Sequence, residues 1–143
     1  MYGVDLGAIH GTPVRPLPSN ATDDDLLCYI DRWAALLEAE DYDAAFHLTE
    51  HDPYMQWTPA LIREVIKAFG EGRESQRITV EGEPTDIRQK KEVTWFPSRR
   101  ASGDGEIRYD LNIDGFVSDL TATFWIERTA SGIVLRLNDI HVM

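Results

Sequence analysis

Ile107-Arg108-Tyr109-Asp110-Leu111-Asn112-Ile113-Asp114-Gly115-Phe116-Val117-Ser118-Asp119-Leu120-Thr121-Ala122-Thr123-Phe124-Trp125-Ile126 alternates apolar and polar residues on both sides of an Asp-Gly pair. Side chains along a strand alternate between two faces, so each half reads as one strand. Asp114-Gly115 predicts a type I′ hairpin, because both central residues of that turn need positive φ. A two-residue turn sets Ile113 opposite Phe116. Ile107, Tyr109, Leu111 and Ile113 then share a buried face with Phe116, Ser118, Leu120, Ala122, Phe124 and Ile126. The other face of the second strand carries Thr121, Thr123 and Trp125. Turn chemistry and both alternations give the same answer.

Towards the carboxy terminus, Thr129-Ala130-Ser131-Gly132 turns the chain into a last strand over 133–142. Ile133, Leu135 and Leu137 have one parity, Ile140 and Val142 the other. A bulge near Asn138-Asp139 reconciles them. Towards the amino terminus, 98–105 reads as a loop and 85–96 as a strand anchored by Val93, Trp95 and Phe96. Its polar middle, Arg88-Gln89-Lys90-Lys91-Glu92, suits a sheet edge, where lysines deter wrong pairing. Ile78 and Val80 begin a short strand before a Gly82–Pro84 break.

Ahead of the strands the period is helical. Asp23-Asp24-Asp25 opens a helix by capping free N–H groups, and Leu26, Ile30, Trp33 and Leu37 form its apolar stripe. Asp41 caps a second, short helix running to about Glu50. Thr58-Pro59 starts a third, with Leu61, Ile62, Val65, Ile66 and Phe69 facing inward and Gly70 or Gly72 ending it. The predicted architecture is α+β: three N-terminal helices packed on a curved antiparallel sheet of four to five strands. Residues 1–22, with prolines at 13, 16 and 18, form an extended arm, and 23–143 form a single domain.

The bulk numbers bound the function. A chain of 143 residues buries a core without staples. A net charge of -11 repels phosphate backbones, so no nucleic-acid partner is expected. The pairs Lys90-Lys91 and Arg99-Arg100 read as solvated strand and loop charges. No stretch approaches the ~18 apolar residues of a membrane span, so no membrane is expected. The single cysteine, Cys28, opposite the apolar stripe of its helix, excludes an intrachain disulfide and suits a cytoplasmic location. No glycine-rich phosphate loop, serine nucleophile elbow or cofactor motif occurs, and no cofactor is expected.

The order of elements resembles the NTF2-like, cystatin-like cone superfamily. The run Trp33 through Ala45, including Glu40-Asp41-Tyr42, is similar to the opening helix and turn of its small members. The ending Leu137-Asn138-Asp139-Ile140-His141-Val142-Met143 also resembles that of a bacterial family with no assigned activity. The resemblance implies a curved sheet around a pocket, and dimerisation through the outer sheet face.

Several constellations bear on chemistry. His47-Leu48-Thr49-Glu50-His51 matches the pattern of inverse zinc proteases, but Pro53 truncates the helix and no later acidic ligand follows, so no metal is expected. Asp139 and His141, two apart on a strand, point the same way; inside a cone, with Tyr109, they would form an acid/base set. Trp33, Tyr54 and Trp57 are candidate pocket residues. Trp125, with Thr121 and Thr123, is a candidate interface on the outer face. Three functions follow. The first is a non-catalytic NTF2-like domain binding a small molecule or a protein, as a homodimer through the outer sheet face. The second is an acidic immunity-type or regulatory protein neutralising a basic partner. The third is a small cone-fold isomerase or dehydratase using Asp139, His141 and Tyr109.

Overall fold

A computed structural model describes residues 14–84 and 89–142. The first thirteen residues of the expected arm, the first four of the expected 85–96 strand, and Met143 lie outside the described residues. The chain builds helices α1 (Asp23–Glu38), α2 (Tyr42–Leu48) and α3 (Pro59–Ala68). Its strands are β1 (Glu50–His51), β2 (Ile78–Thr79), β3 (Lys91–Arg100), β4 (Gly103–Ile113), β5 (Phe116–Thr129) and β6 (Gly132–Val142).

Each helix starts where its chemistry allows. Thr22, one residue before the acidic run, caps α1: its hydroxyl accepts from the Asp25 N–H while the Asp25 carboxylate accepts from the Thr22 N–H. This reciprocal box satisfies two orphan donors, which the three aspartates alone would not do. Asp41 caps α2 and Thr58 caps α3, with Pro59 in its first turn. Gly70 and Gly72, at φ 65° and 72°, turn the chain out of α3.

The sheet runs β1-β6-β5-β4-β2, with β3 also on β4, and curls into a half-barrel. Among the described residues it is mixed, not purely antiparallel, and counts five to six strands, β1 and β2 being only two residues each. The parallel member is β1, which pairs with β6 through Glu50↔Arg136 and His51↔Leu137. β3 continues through Ser98, Arg99 and Arg100, and β4 begins at Gly103, so the expected 98–105 loop shrinks to a tight turn. Glycine permits this. A Cβ on Gly105 would sit 2.6 Å from the Thr94 carbonyl, and one on Gly103 2.6 Å from that of Ile126.

The β4–β5 hairpin turns at Asp114 (φ 52°) and Gly115 (φ 84°), with Ile113 opposite Phe116. Segment 77–83 wraps the tip. The Arg77 carbonyl accepts from Asp114 N–H, the Thr79 hydroxyl from Gly115 N–H, and the Glu83 carbonyl from Val117 N–H. Phe116, on the predicted buried face, is 64% exposed at the hairpin's tip, where its backbone forms an isolated bridge with Glu83.

The core lies between the concave side of the sheet and the helices. Leu26, Ile30, Trp33 and Leu37 of α1 meet Ile107, Leu111, Phe124, Ile126, Leu135 and Leu137, all essentially without exposed surface. Burial of this kind stabilises by roughly 25 cal/mol per Å² of apolar area removed from water. Residue Leu17 of the arm pairs antiparallel with Ile133 and covers one end of the β6 edge.

Candidate functional site

β4, β5 and β6 turn alternate side chains away from the helices, and their register sets these in rows. Glu106, Trp125 and Arg136 form one row; Arg108, Thr123 and Asp139 the next; Asp110, Thr121 and His141 the third. The β6 members reach this face through the bulge. Thr123 pairs with Asp139 but Phe124 with Leu137, so Asn138 is the extra residue. One inserted residue moves everything after it to the opposite face. Asp139 and His141 therefore point outward, while Ile140 keeps its place in the core.

Local bonds fix the face. The Thr121 hydroxyl donates to Asp110 Oδ1 (3.0 Å) and the Lys90 N–H to Asp110 Oδ2 (3.0 Å). Asn138 Nδ2 donates to the Thr123 hydroxyl (3.1 Å). His141 Nδ1 lies 3.1 Å from Asp139 Oδ2. Arg136 donates to Glu127 (2.9 Å), which also accepts from Arg99 (3.0 Å). Trp125 Nε1 donates to Asp52 Oδ2 (3.2 Å), so the loop after β1 borders the face. Arg108 Nε lies 3.5 Å from Asp110 Oδ1, outside hydrogen-bond reach. Thr121 and Thr123 are buried although they face outward, each held in a hydrogen bond, to Asp110 and from Asn138 respectively.

The structure separates the expected acid/base set. Tyr109 pairs with Ala122, and Ala122 with Ile140, on the concave side. There its hydroxyl donates to Asp31 Oδ1 (2.5 Å) and Lys91 stands over its ring. Burial, and then the Asp31 carboxylate, push the phenol pKa well above its usual value. Asp139 and His141 are within reach of each other but stand on an open face, across the sheet from Tyr109. The three candidate pocket aromatics are also apart. Trp33 is a core residue, Trp57 is buried with Nε1 on the Asn138 carbonyl (3.0 Å), and Tyr54 is 88% exposed. Fully buried core side chains occupy the concave side where the cone pocket was expected.

The 47–51 motif is split between α2 and β1. His47 Nδ1–H donates to the Asp43 carbonyl (2.8 Å), and His51 stacks on Phe46 with centroids 4.0 Å apart. Burial holds the His51 pKa below its usual value. No group of residues able to hold a metal ion stands among the described residues. Cys28 is exposed on the outer side of α1.

The helical side has its own electrostatic character. Between residues 23 and 52, Asp23, Asp24, Asp25, Asp31, Glu38, Glu40, Asp41, Asp43, Glu50 and Asp52 face a single basic side chain other than histidine, Arg32. A shallow cleft of about 270 Å³ opens there, lined by Glu40, Asp41, Tyr42, Asp43, Pro59, Ala60 and Arg63. The hydrogen bond from Lys67 to Glu40 (2.5 Å) lowers the Glu40 pKa. Reading charge by segment rather than over the whole chain finds this asymmetry in the sequence. No family model, curated protein or solved structure matches the chain.

Proposed function

We propose that this chain is a non-catalytic, NTF2-like domain that binds a protein partner through the outer face of its sheet. The observation that carries this reading is Trp125, half-buried on that face between Glu106 and Arg136, with charged residues of β4 and β6 on both sides. Uncharged, partly aromatic centres with polar rims are what protein interfaces use. The filled concave side weighs against a small molecule inside the cone. The separation of Tyr109 from Asp139 and His141 weighs against the isomerase or dehydratase reading. The helices-then-curved-sheet order is what supports the NTF2-like assignment. The test is photo-crosslinking from benzoylphenylalanine at position 125 in the native host. A covalent adduct with a protein supports the reading; a well-expressed, adduct-free chain defeats it.

A second reading has its own observation. The segregation of acidic residues to 23–52 suits neutralisation of a basic protein. A basic protein encoded beside this one should bind with an affinity that falls steeply with salt and falls again in Asp41→Asn/Asp43→Asn. Salt-independent binding, or none, removes this alternative.

A further inference from the structure

β3 pairs with β4 alone, and among the described residues no strand lies on its other side. The Lys90 carbonyl accepts from the Asp110 N–H, and the Thr94 carbonyl lies against Gly105, so even-numbered residues direct their peptide groups to β4. Peptide groups alternate in direction along a strand. Lys91, Val93 and Trp95 therefore turn their N–H and C=O groups to the open side, a ready template for one more strand. Pro97 has no N–H, and the register breaks between Trp95 and Arg100, so the usable stretch is 91–95.

We propose that this edge binds an extended acidic segment of another protein as an added strand, with carboxylates at both ends of a short apolar centre. The surface is separate from Trp125, and the proposal stands or falls independently of the outer-face reading.

Charge identifies the occupant. The chain carries 25 acidic and 14 basic side chains, yet residues 89–100 hold Lys90, Lys91, Arg99 and Arg100 against Glu92 alone. Two of the four are matched within the chain: Lys91 by Asp31 (3.2 Å), and Arg99 by Asp104 and Glu127. Lys90 and Arg100 are exposed and form no ion pair among the described residues. Arg100 folds back over the Phe96 ring (4.0 Å), and Arg128 of β5 lies over the Trp95 ring (4.1 Å). Two guanidinium groups thus stand at one end of the stretch and Lys90 at the other. Between them, Val93 and Trp95 are half-buried and offer an apolar centre. The α1 carboxylates that touch β3 are both engaged: Asp23 accepts from Trp95 Nε1 (2.8 Å), and Asp31 from Lys91 and Tyr109.

The same features disfavour a second copy. Edge lysines deter a second β3, and two chains of net charge -11 repel. A segment bearing carboxylates is attracted instead. Added strands take affinity from main-chain hydrogen bonds and specificity from alternate side chains. β3 is already fixed by its β4 ladder, so binding has only the peptide to order.

Random peptides of about twelve residues, displayed on phage and selected on the whole immobilised chain, test this. Selected sequences should carry Asp or Glu at both ends of a centre rich in Val, Ile and Thr. A synthetic peptide of the selected sequence should slow exchange of the Lys91, Val93 and Trp95 N–H groups by roughly tenfold or more, measured by NMR on the whole chain. The Glu92 and Thr94 N–H groups, turned to β4, should not change. Lys90→Glu/Arg100→Glu should weaken binding by roughly tenfold, and added salt should weaken it too. If that variant folds poorly, the exchange pattern of the wild-type chain decides alone. No selected sequence, selected sequences without an acidic excess, or protection confined to other amides overturns the proposal. So does protection of the three odd-numbered amides before peptide is added. Present at every concentration, it means that the chain covers its own edge; present only at high concentration, that a second copy does. None of these results bears on crosslinking from position 125, which tests the outer face separately.

Discussion

Trp33 and His51 show how much a single buried ring determines. Trp33 meets Phe124 edge-on, centroids 5.0 Å apart at 88°, with no exposed surface. It joins α1 to the middle of β5, and its Nε1 makes no hydrogen bond. Trp33→Ala should cost about 3–5 kcal/mol by urea denaturation, the range for deleting a large core aromatic. Trp33→Phe should cost far less, since it removes an unmet donor together with some volume. His51 acts through pH. Its folded pKa is depressed by burial, so between pH 6.5 and its folded value the unfolded chain holds a proton that the folded chain does not. Stability must therefore fall as pH drops below about 6.5, the unfolded histidine value, and level off once the folded ring also protonates. Denaturation midpoints from pH 7 to 5 should show this slope reduced in His51→Phe, which keeps the stack on Phe46.

At the scale of elements, glycine geometry decides which connections tolerate change. Gly115, at φ 84°, has open space where a Cβ would go. Gly115→Ala should therefore cost only the backbone strain, about 1–2 kcal/mol by equilibrium unfolding. Gly132 differs: a Cβ there runs into the Leu17 carbonyl across the Leu17–Ile133 bridge. Gly132→Ala should dislodge the arm, and the Leu17 and Ile133 N–H groups, which pair across that bridge, should exchange with solvent faster while the rest of the sheet stays protected. The same scale shows what a sequence discloses. The hairpin and α3 were legible because turn chemistry, capping and periodicity coincide in them. β1 was not, because two residues carry no periodicity and its partner lies far along the chain. β4's start was hidden because glycines read as loop until the backbone they approach is known. At the candidate site the shared direction of Asp139 and His141 was legible from the strand period. Which face they share depends on a one-residue bulge, and the sequence marks that bulge only by its broken alternation.

Across the whole molecule the dominant fact is where the charge lies. The acidic side chains of 23–52 crowd α1, α2 and the turn between them, whereas the outer sheet face interleaves both signs. Folding concentrates the first group, so the native state carries more self-repulsion than the unfolded chain. Raising salt from 10 mM to 0.5 M should shift the thermal midpoint upward by roughly 3–5 °C, equivalent to about 1 kcal/mol. A midpoint that falls would place the net repulsion elsewhere.

β6 closes the fold, and both early segments wait for it. Leu17 pairs with Ile133, and β1 pairs with Arg136 and Leu137. On a ribosome adding roughly 5–20 residues per second, β1 emerges on the order of 4–17 s before its partner does. Until β4 and β5 follow, the apolar stripe of α1 has no sheet to cover it, and until β6 follows that sheet lacks Leu135 and Leu137. The sheet therefore closes only when β6 joins, and β1 and Leu17 dock last although they are made first.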